Sequence, residues 1–71
     1  MIPIFVNGQV LQVEQKTSLQ QVLRLVTELH QLDLANIAVA LNQHIVPKSQ
    51  WAEKGCQQGD QINVFNAVAG G

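Results

Sequence analysis

Charge is scarce in this sequence. Asp, Glu, Lys and Arg make up 13% of its 71 residues and the net charge is −1, whereas roughly a quarter of an ordinary soluble domain is charged. The basic residues Lys16, Arg24, Lys48 and Lys54 are scattered, so there is no basic patch or stripe to meet a nucleic acid. The aromatics are Phe5, Trp51 and Phe65 alone, too dispersed to stack bases. Cysteine occurs once, at Cys56, which excludes an intrachain disulfide. A small domain without that staple relies on packing, which suits a reducing compartment. No apolar run is long enough to span a membrane, and the N-terminus lacks the basic n-region and long apolar stretch of a signal peptide. The expectation is a cytoplasmic protein with neither a membrane nor a nucleic-acid partner.

Catalytic constellations are also missing. His30 and His44 are the only histidines, and neither lies in a nucleophile context with Cys56. His30, His44, Cys56 and Asp60 lack the spacing of a metal-ligand set. Gly55 and Gly59 do not make a phosphate loop, because no Lys-Ser/Thr follows Gly59. Glu14, Glu28, Asp33, Glu53 and Asp60 are dispersed and read as solvation. No catalytic residue, bound cofactor or metal is expected of this chain.

What is present is 46% hydrophobic residues, enough for an efficient small core; a chain this short buries only about 60% of its unfolded surface. Met1 to Val13 reads as a β-hairpin about Asn7-Gly8, the preferred pair of a type I′ turn. Its register sets Val6 opposite Gln9, Ile4 opposite Leu11 and Ile2 opposite Val13. Ile2, Ile4, Val6, Leu11 and Val13 then share the core face, with Phe5 and Val10 on the other. Thr17 reads as a helix N-cap, with Gln20 completing a capping box. Leu19, Val22, Leu23, Val26 and Leu29 follow at helical spacing and form the stripe laid on the sheet. Ile37 to Leu41 is a strand, Asn42-Gln43 a turn, and His44 to Val46 a short return strand. Trp51 pins a helical turn from Lys48 to Glu53, Gly59-Asp60 signals a turn, and Gln61 to Asn66 is the last strand. Because Ile62-Asn63-Val64-Phe65 is apolar on both faces, that strand is expected in the middle of the sheet. One helix covers one face only, so the fold class is α+β: a mixed sheet of four to five strands with one main helix packed across it.

The chain stops at Val68-Ala69-Gly70-Gly71. Without a Cβ, glycine enters a slot too narrow for any side chain, and the group left at the end is the Gly71 carboxylate. The expectation is a domain over 1–66 and a flexible tail over 67–71, with Val68, Ala69 and Gly70 threading into a partner and Gly71 being modified there. The bland alternative is a frayed terminus. Phe5, Val10, Ala40 and Phe65 are expected to form an exposed apolar docking face, with small Ala40 beside large Phe65.

The stretch Ala40-Leu41-Asn42-Gln43-His44-Ile45-Val46-Pro47, then Trp51, Gly59-Asp60-Gln61-Ile62 and Val68-Ala69-Gly70-Gly71, closely resembles the ThiS-type sulfur carriers of thiamine biosynthesis. The N-terminal hairpin and helix agree with them in layout more than in identity. The resemblance implies a ubiquitin-like β-grasp fold. It also implies that an E1-like adenylating enzyme, using ATP and Mg²⁺, activates the Gly71 carboxylate. A sulfur donor system of the cysteine desulfurase type then makes it a thiocarboxylate, and thiazole synthase takes the sulfur. Phe65 would lie on the face that docks the adenylating enzyme. Cys56 is not part of the family's pattern. The chain would be a protein co-substrate and not an enzyme, and a monomer when free. The alternatives are the small subunit of molybdopterin synthase, a ubiquitin-like protein modifier, and a plain interaction module.

Overall fold

Asn7-Gly8 and Asn42-Gln43 both turn the chain with positive φ, at 50° and 83° in the first pair and 50° and 73° in the second. Left-handed backbone at both central positions is what a two-residue hairpin loop requires. The computed structural model, which describes residues 1–66, accordingly has two hairpins. β1 (Ile2–Val6) and β2 (Gln9–Val13) pair in the register the loop dictates, Ile2 with Val13 and Val6 with Gln9. After α1 (Leu19–His30) come β3 (Ile37–Leu41) and β4 (His44–Ile45). β5 (Gln61–Asn66) closes the sheet. The order is β2-β1-β5-β3-β4, with β5 parallel to β1 and antiparallel to β3. The sheet is therefore mixed and the last strand central, as its two apolar faces predict.

The core lies between the sheet and α1. Ile4, Val39 and Ile62 meet Leu19 and Leu23 there with no exposed surface. Trp51 closes one end. It is 2% exposed, and its indole N–H donates to the Val46 carbonyl at 2.9 Å, which satisfies the one polar atom so large a buried ring carries. A 3₁₀ turn at Lys48–Gln50 brings it there.

Two details of α1 differ from expectation. The N-cap is Ser18, not Thr17. Its hydroxyl accepts from the Gln21 N–H and the Gln21 side chain accepts from the Ser18 N–H, a capping box one residue later than the one read from Thr17 and Gln20. The cause is tertiary. The Thr17 carbonyl accepts from Cys56 N–H, while the first helical N–H groups, of Leu19 and Gln20, donate to the Lys54 and Trp51 carbonyls. Segment 51–56 thus fixes where the helix begins. Leu29, placed on the core stripe by its spacing, is 65% exposed. The buried stripe ends at Val26 and Thr27, and Leu29 stands beyond the sheet's cover.

β5 is bonded along both edges by asparagine amides from the two turns. At its start, the Asn42 N–H donates to the Gln61 carbonyl at 2.7 Å and the Asn42 amide oxygen accepts from Gln61 N–H at 2.9 Å. On the other edge, the Asn7 N–H donates to the Ile62 carbonyl at 2.8 Å. The Asn7 side chain then takes the Val64 N–H at 2.8 Å and donates to the Val64 carbonyl at 3.2 Å. β1 has already turned away at this level, so the Asn7 amide stands in for the next peptide group of the neighbouring strand.

Replacing Asn7 tests that role. Asn7→Ala removes two hydrogen bonds to partly buried backbone groups and leaves a Cβ residue at positive φ, and is expected to cost about 2–3 kcal/mol. Asn7→Gly relieves the backbone conformation but not the lost bonds, so its urea midpoint should fall between those of Asn7→Ala and the wild type. Equal midpoints for Asn7→Gly and the wild type would show that the side-chain amide contributes nothing.

Candidate functional site

The expected working group, the Gly71 carboxylate, and its approach through Val68, Ala69 and Gly70 lie outside the described residues. What the structure does define is the root of that segment: the end of β5, where Asn66 pairs with Ile37 of β3. Ile62 and Val64 point from β5 into the core, at 0% and 8% exposure, so Gln61, Asn63 and Phe65 face outward on the side α1 does not cover.

The outer face is organised differently from the expected single patch. Phe5 is directly opposite Val10, and both are exposed. Phe5, however, is level with Gln61, and Phe65 lies four residues farther along β5. At the rise of an extended strand that separates the two phenylalanines by about 13 Å. Nor does Ala40 lie exposed beside Phe65. The β3–β5 register sets Ala38 opposite Phe65 and Ala40 opposite Asn63, while Ile45 flanks Ala40 from β4. Between these larger neighbours the Ala40 methyl is buried. The site next to the end of β5 is thus Phe65, half exposed at 45%, with Ala38 beside it and exposed Ile45 farther across the sheet. Phe5 and Val10 form a separate apolar spot.

Ala38 and Asn63 are not identifiable from the sequence because it does not show the β3–β5 register, which the Asn42 bonds to Gln61 help to fix. Nor does it show how far β5 slides past β1, a slide that Asn7 holds and that separates Phe5 from Phe65. The Asn42-Gln43 turn did carry the Ala40–Ile45 pairing, since a two-residue loop fixes the register of its flanking strands.

None of the five strands contains Asp, Glu, Lys or Arg. A partner on this face therefore meets apolar side chains and amides and no fixed charge. His30 and His44 are both exposed. Among the described residues no group of His, Cys, Asp and Glu could hold a metal ion, and no helix is long and apolar enough to cross a membrane. Cys56 is buried. Burial, aided by the Asp60 carboxylate, pushes its thiol up from 9.0 to about 11, so it stays protonated and unreactive near neutral pH.

A sequence model described as the ThiS family matches residues 4–71. Over 45 residues the chain is 53% identical to the sulfur carrier protein ThiS of Escherichia coli, an alignment covering 61% of this chain and 68% of that protein. A crystal structure of a thiamine biosynthesis protein (ThiS) from Geobacter metallireducens superposes with a TM-score of 0.77 at 18% identity, covering 99% of this chain and 100% of that one. At that identity the superposition speaks to the fold alone.

The buried thiol gives stability a pH dependence. An unfolded thiol releases its proton near 9.0, while the folded one holds it to about 11. Between those values the unfolded state loses a proton the folded state keeps, so this contribution is intact below the lower value and is lost as pH rises through the upper one. Urea midpoints taken near pH ~8 and pH ~10 should fall more for the wild type than for Cys56→Ala. An identical fall in both would remove the thiol as the cause.

Proposed function

The chain belongs to the ThiS family, and on that premise we propose that it is a sulfur carrier whose Gly71 carboxylate becomes a thiocarboxylate and supplies sulfur for thiazole formation in thiamine biosynthesis. The observation that carries this reading is that the family match runs through residue 71, so that the Gly-Gly end lies inside it. Three residues separate that end from β5, which is bonded on both edges as far as Val64.

The chemistry balances with partners of three classes and a thiol reductant. A carboxylate is a poor electrophile, so an E1-like adenylating enzyme first lets a Gly71 oxygen attack the α-phosphorus of ATP, bound with Mg²⁺ by that enzyme. Pyrophosphate leaves and an acyl-adenylate forms. The terminal sulfur of a persulfide supplied by a donor of the cysteine desulfurase type attacks the acyl carbon, and the carbon–oxygen bond to AMP breaks and AMP leaves. A thiol reductant then cleaves the sulfur–sulfur bond of the resulting acyl disulfide, leaving the thiocarboxylate and an oxidised thiol. Its sulfur is the nucleophile that thiazole synthase uses. Val68, Ala69 and Gly70 reach through the partner's entry, where the absence of a side chain at Gly70 and Gly71 matters most. Five residues follow Asn66, a reach of at most about 17 Å. The adenylating enzyme therefore docks close to Phe65, and the uncharged strands leave apolar contact to do the holding. Phe5, Val10 and Ala40 are set apart from Phe65 by position or burial and are subsidiary to it.

Incubation with ATP, Mg²⁺, a cognate E1-like adenylating enzyme, a sulfur source and a thiol reductant should exchange one oxygen for sulfur, read by intact mass and confined to the C-terminal peptide. A chain lacking Gly71 should show no exchange; equal uptake by that chain would overturn the assignment. Conjugation to a lysine in place of exchange would identify a protein modifier. Turnover of molybdopterin synthase, in place of thiazole synthase, by the sulfur-loaded chain would identify the other pathway.

Phe65→Ala should leave the thermal midpoint almost unchanged and raise the KM for the adenylating enzyme about tenfold or more, as truncation of an aromatic anchor does. With no fixed charge on the strands, kcat/KM should vary no more than about threefold between low and high salt. A steep salt dependence would place the docking surface elsewhere.

A further inference from the structure

The two edges of the sheet are unequally protected. Unpaired strand edges invite pairing with another chain, and folded proteins blunt them with charge, proline, bulges or extreme shortness. β4 is two residues long and is followed by Val46-Pro47. β2 has none of these devices. Its five residues, Gln-Val-Leu-Gln-Val, include no charge and no proline, and its register with β1 runs without a bulge. Because the hairpin loop has two residues, Gln9, Leu11 and Val13 exchange bonds with β1, and the N–H and C=O groups of Val10 and Gln12 face away on the free edge.

Beside that edge, on the side facing α1, is a cavity of about 270 Å³. Val6, Val10, Leu11, Val26, Leu29 and Leu32 are its apolar lining, with Asn7 and His30 among the polar groups, and no Asp, Glu, Lys or Arg lines it. Leu29 is 65% exposed, and Leu25, one turn earlier on the helix, is 42% exposed. Neither is needed to fill the core. A free backbone edge thus runs along an uncharged groove with apolar side chains to spare.

We propose that the β2 edge and the groove between β2 and α1 form a docking site for an extended, uncharged segment of a partner protein. The segment adds as a sixth strand against Val10 and Gln12. Every second side chain of the segment, branched and aliphatic, settles between Leu11 and Leu29.

The backbone edge demands an extended occupant, because only a strand matches its donor and acceptor spacing. The groove demands apolar residues at alternate positions, because alternate side chains of an added strand fall on α1's side of the sheet. Residues 67–71 do not qualify. β5 is separated from β2 by β1, so reaching the outer side of β2 means crossing about 14 Å at the usual strand spacing, which takes up nearly all of the roughly 17 Å that five residues span. A second copy pairing through its own β2 does not qualify either. Its Val13 is buried and its Leu11 packs on its own core, so it has no side chain to insert.

The groove also meets the end of β5. Asn7 lines it, and the same Asn7 side chain holds Val64. A partner seated there lies on the opposite side of the sheet from Phe65 but at the same end of the molecule. If Gly71 is the working group, as proposed above, one protein can hold the chain by β2 while another takes the Phe65 face.

The probe is a short acetylated peptide of alternating isoleucine and threonine, titrated into the ¹⁵N- and methyl-labelled full chain. Expected are shifts in the amides of Val10 and Gln12 and in the methyls of Leu25 and Leu29, with slowed hydrogen exchange at Val10 and Gln12. The same peptide with a central proline should lose at least about tenfold in affinity, since proline cannot supply the ladder bond. Leu29→Glu should weaken binding by a similar factor with an unchanged thermal midpoint; Leu25→Glu is the second variant should Leu29→Glu unfold. Shifts confined to Phe65, Ala38 and Ile45, no shifts at millimolar peptide, or self-association of the free chain through β2 would each overturn the proposal. Because the readout does not involve the chain's end, it stands or falls separately from the sulfur chemistry.

Discussion

The side-chain amides of Asn7 and Asn42 hold β5 in the middle of the sheet, and most of the molecule is arranged to let them. Each asparagine opens a two-residue turn at a φ of 50°. Asparagine tolerates the left-handed region better than other residues with a Cβ, and its amide repeats the donor and acceptor of a peptide group on a short arm. Glycine would adopt the angle but offer no amide; aspartate would accept but not donate. Each turn therefore does two things, reversing a hairpin and extending the ladder on β5. Asn42 is itself steadied: its amide donates to Asp60 at 3.1 Å, and the other Asp60 oxygen accepts from Gln57 N–H at 2.8 Å.

This network explains why the resemblance is concentrated where it is. Asn42, Asp60 and Gln61 are joined by hydrogen bonds. Gly59 takes a φ of 84° and its N–H donates to the Pro3 carbonyl. Val46 receives the Trp51 indole, and Pro47 opens the turn that delivers it. The residues that mark the chain as a relative of the sulfur carriers are thus largely scaffold. They fix the strand from which the terminus departs.

The fold was legible because its strongest signals are local. Asn7-Gly8 and Asn42-Gln43 set two registers, the helical spacing from Leu19 to Val26 set the covered face, and the double-sided apolar character of β5 set its central place. What could not be read depended on contacts between distant segments. Thr17 and Ser18 are equally good caps in isolation; the carbonyls of Trp51 and Lys54 decided between them. The outer face was read with its residues on the correct side but in the wrong relation. Alternation gives the side of a strand, whereas the slide of β5 along β1 follows from two side-chain amides no pattern announces. Leu29 fits the periodic stripe, yet periodicity does not say where the sheet beneath the helix ends.

That slide leaves the last residues of β5 less fully paired than the rest of the strand. Up to Val64, β5 has partners on both edges, β3 on one and β1 with the Asn7 amide on the other. At Phe65 and Asn66 the partner among the described residues is β3 alone. A covalent arm delivered to another protein's active site needs a fixed origin, because each freely rotating residue adds conformations that must be given up on binding. On the proposed reading that residues beyond Asn66 enter a partner, holding β5 on both edges up to Val64 keeps that cost to a few residues. The strand that completes the core and the strand that presents the terminus are the same strand, so the terminus acquires its origin from the cooperativity of folding itself.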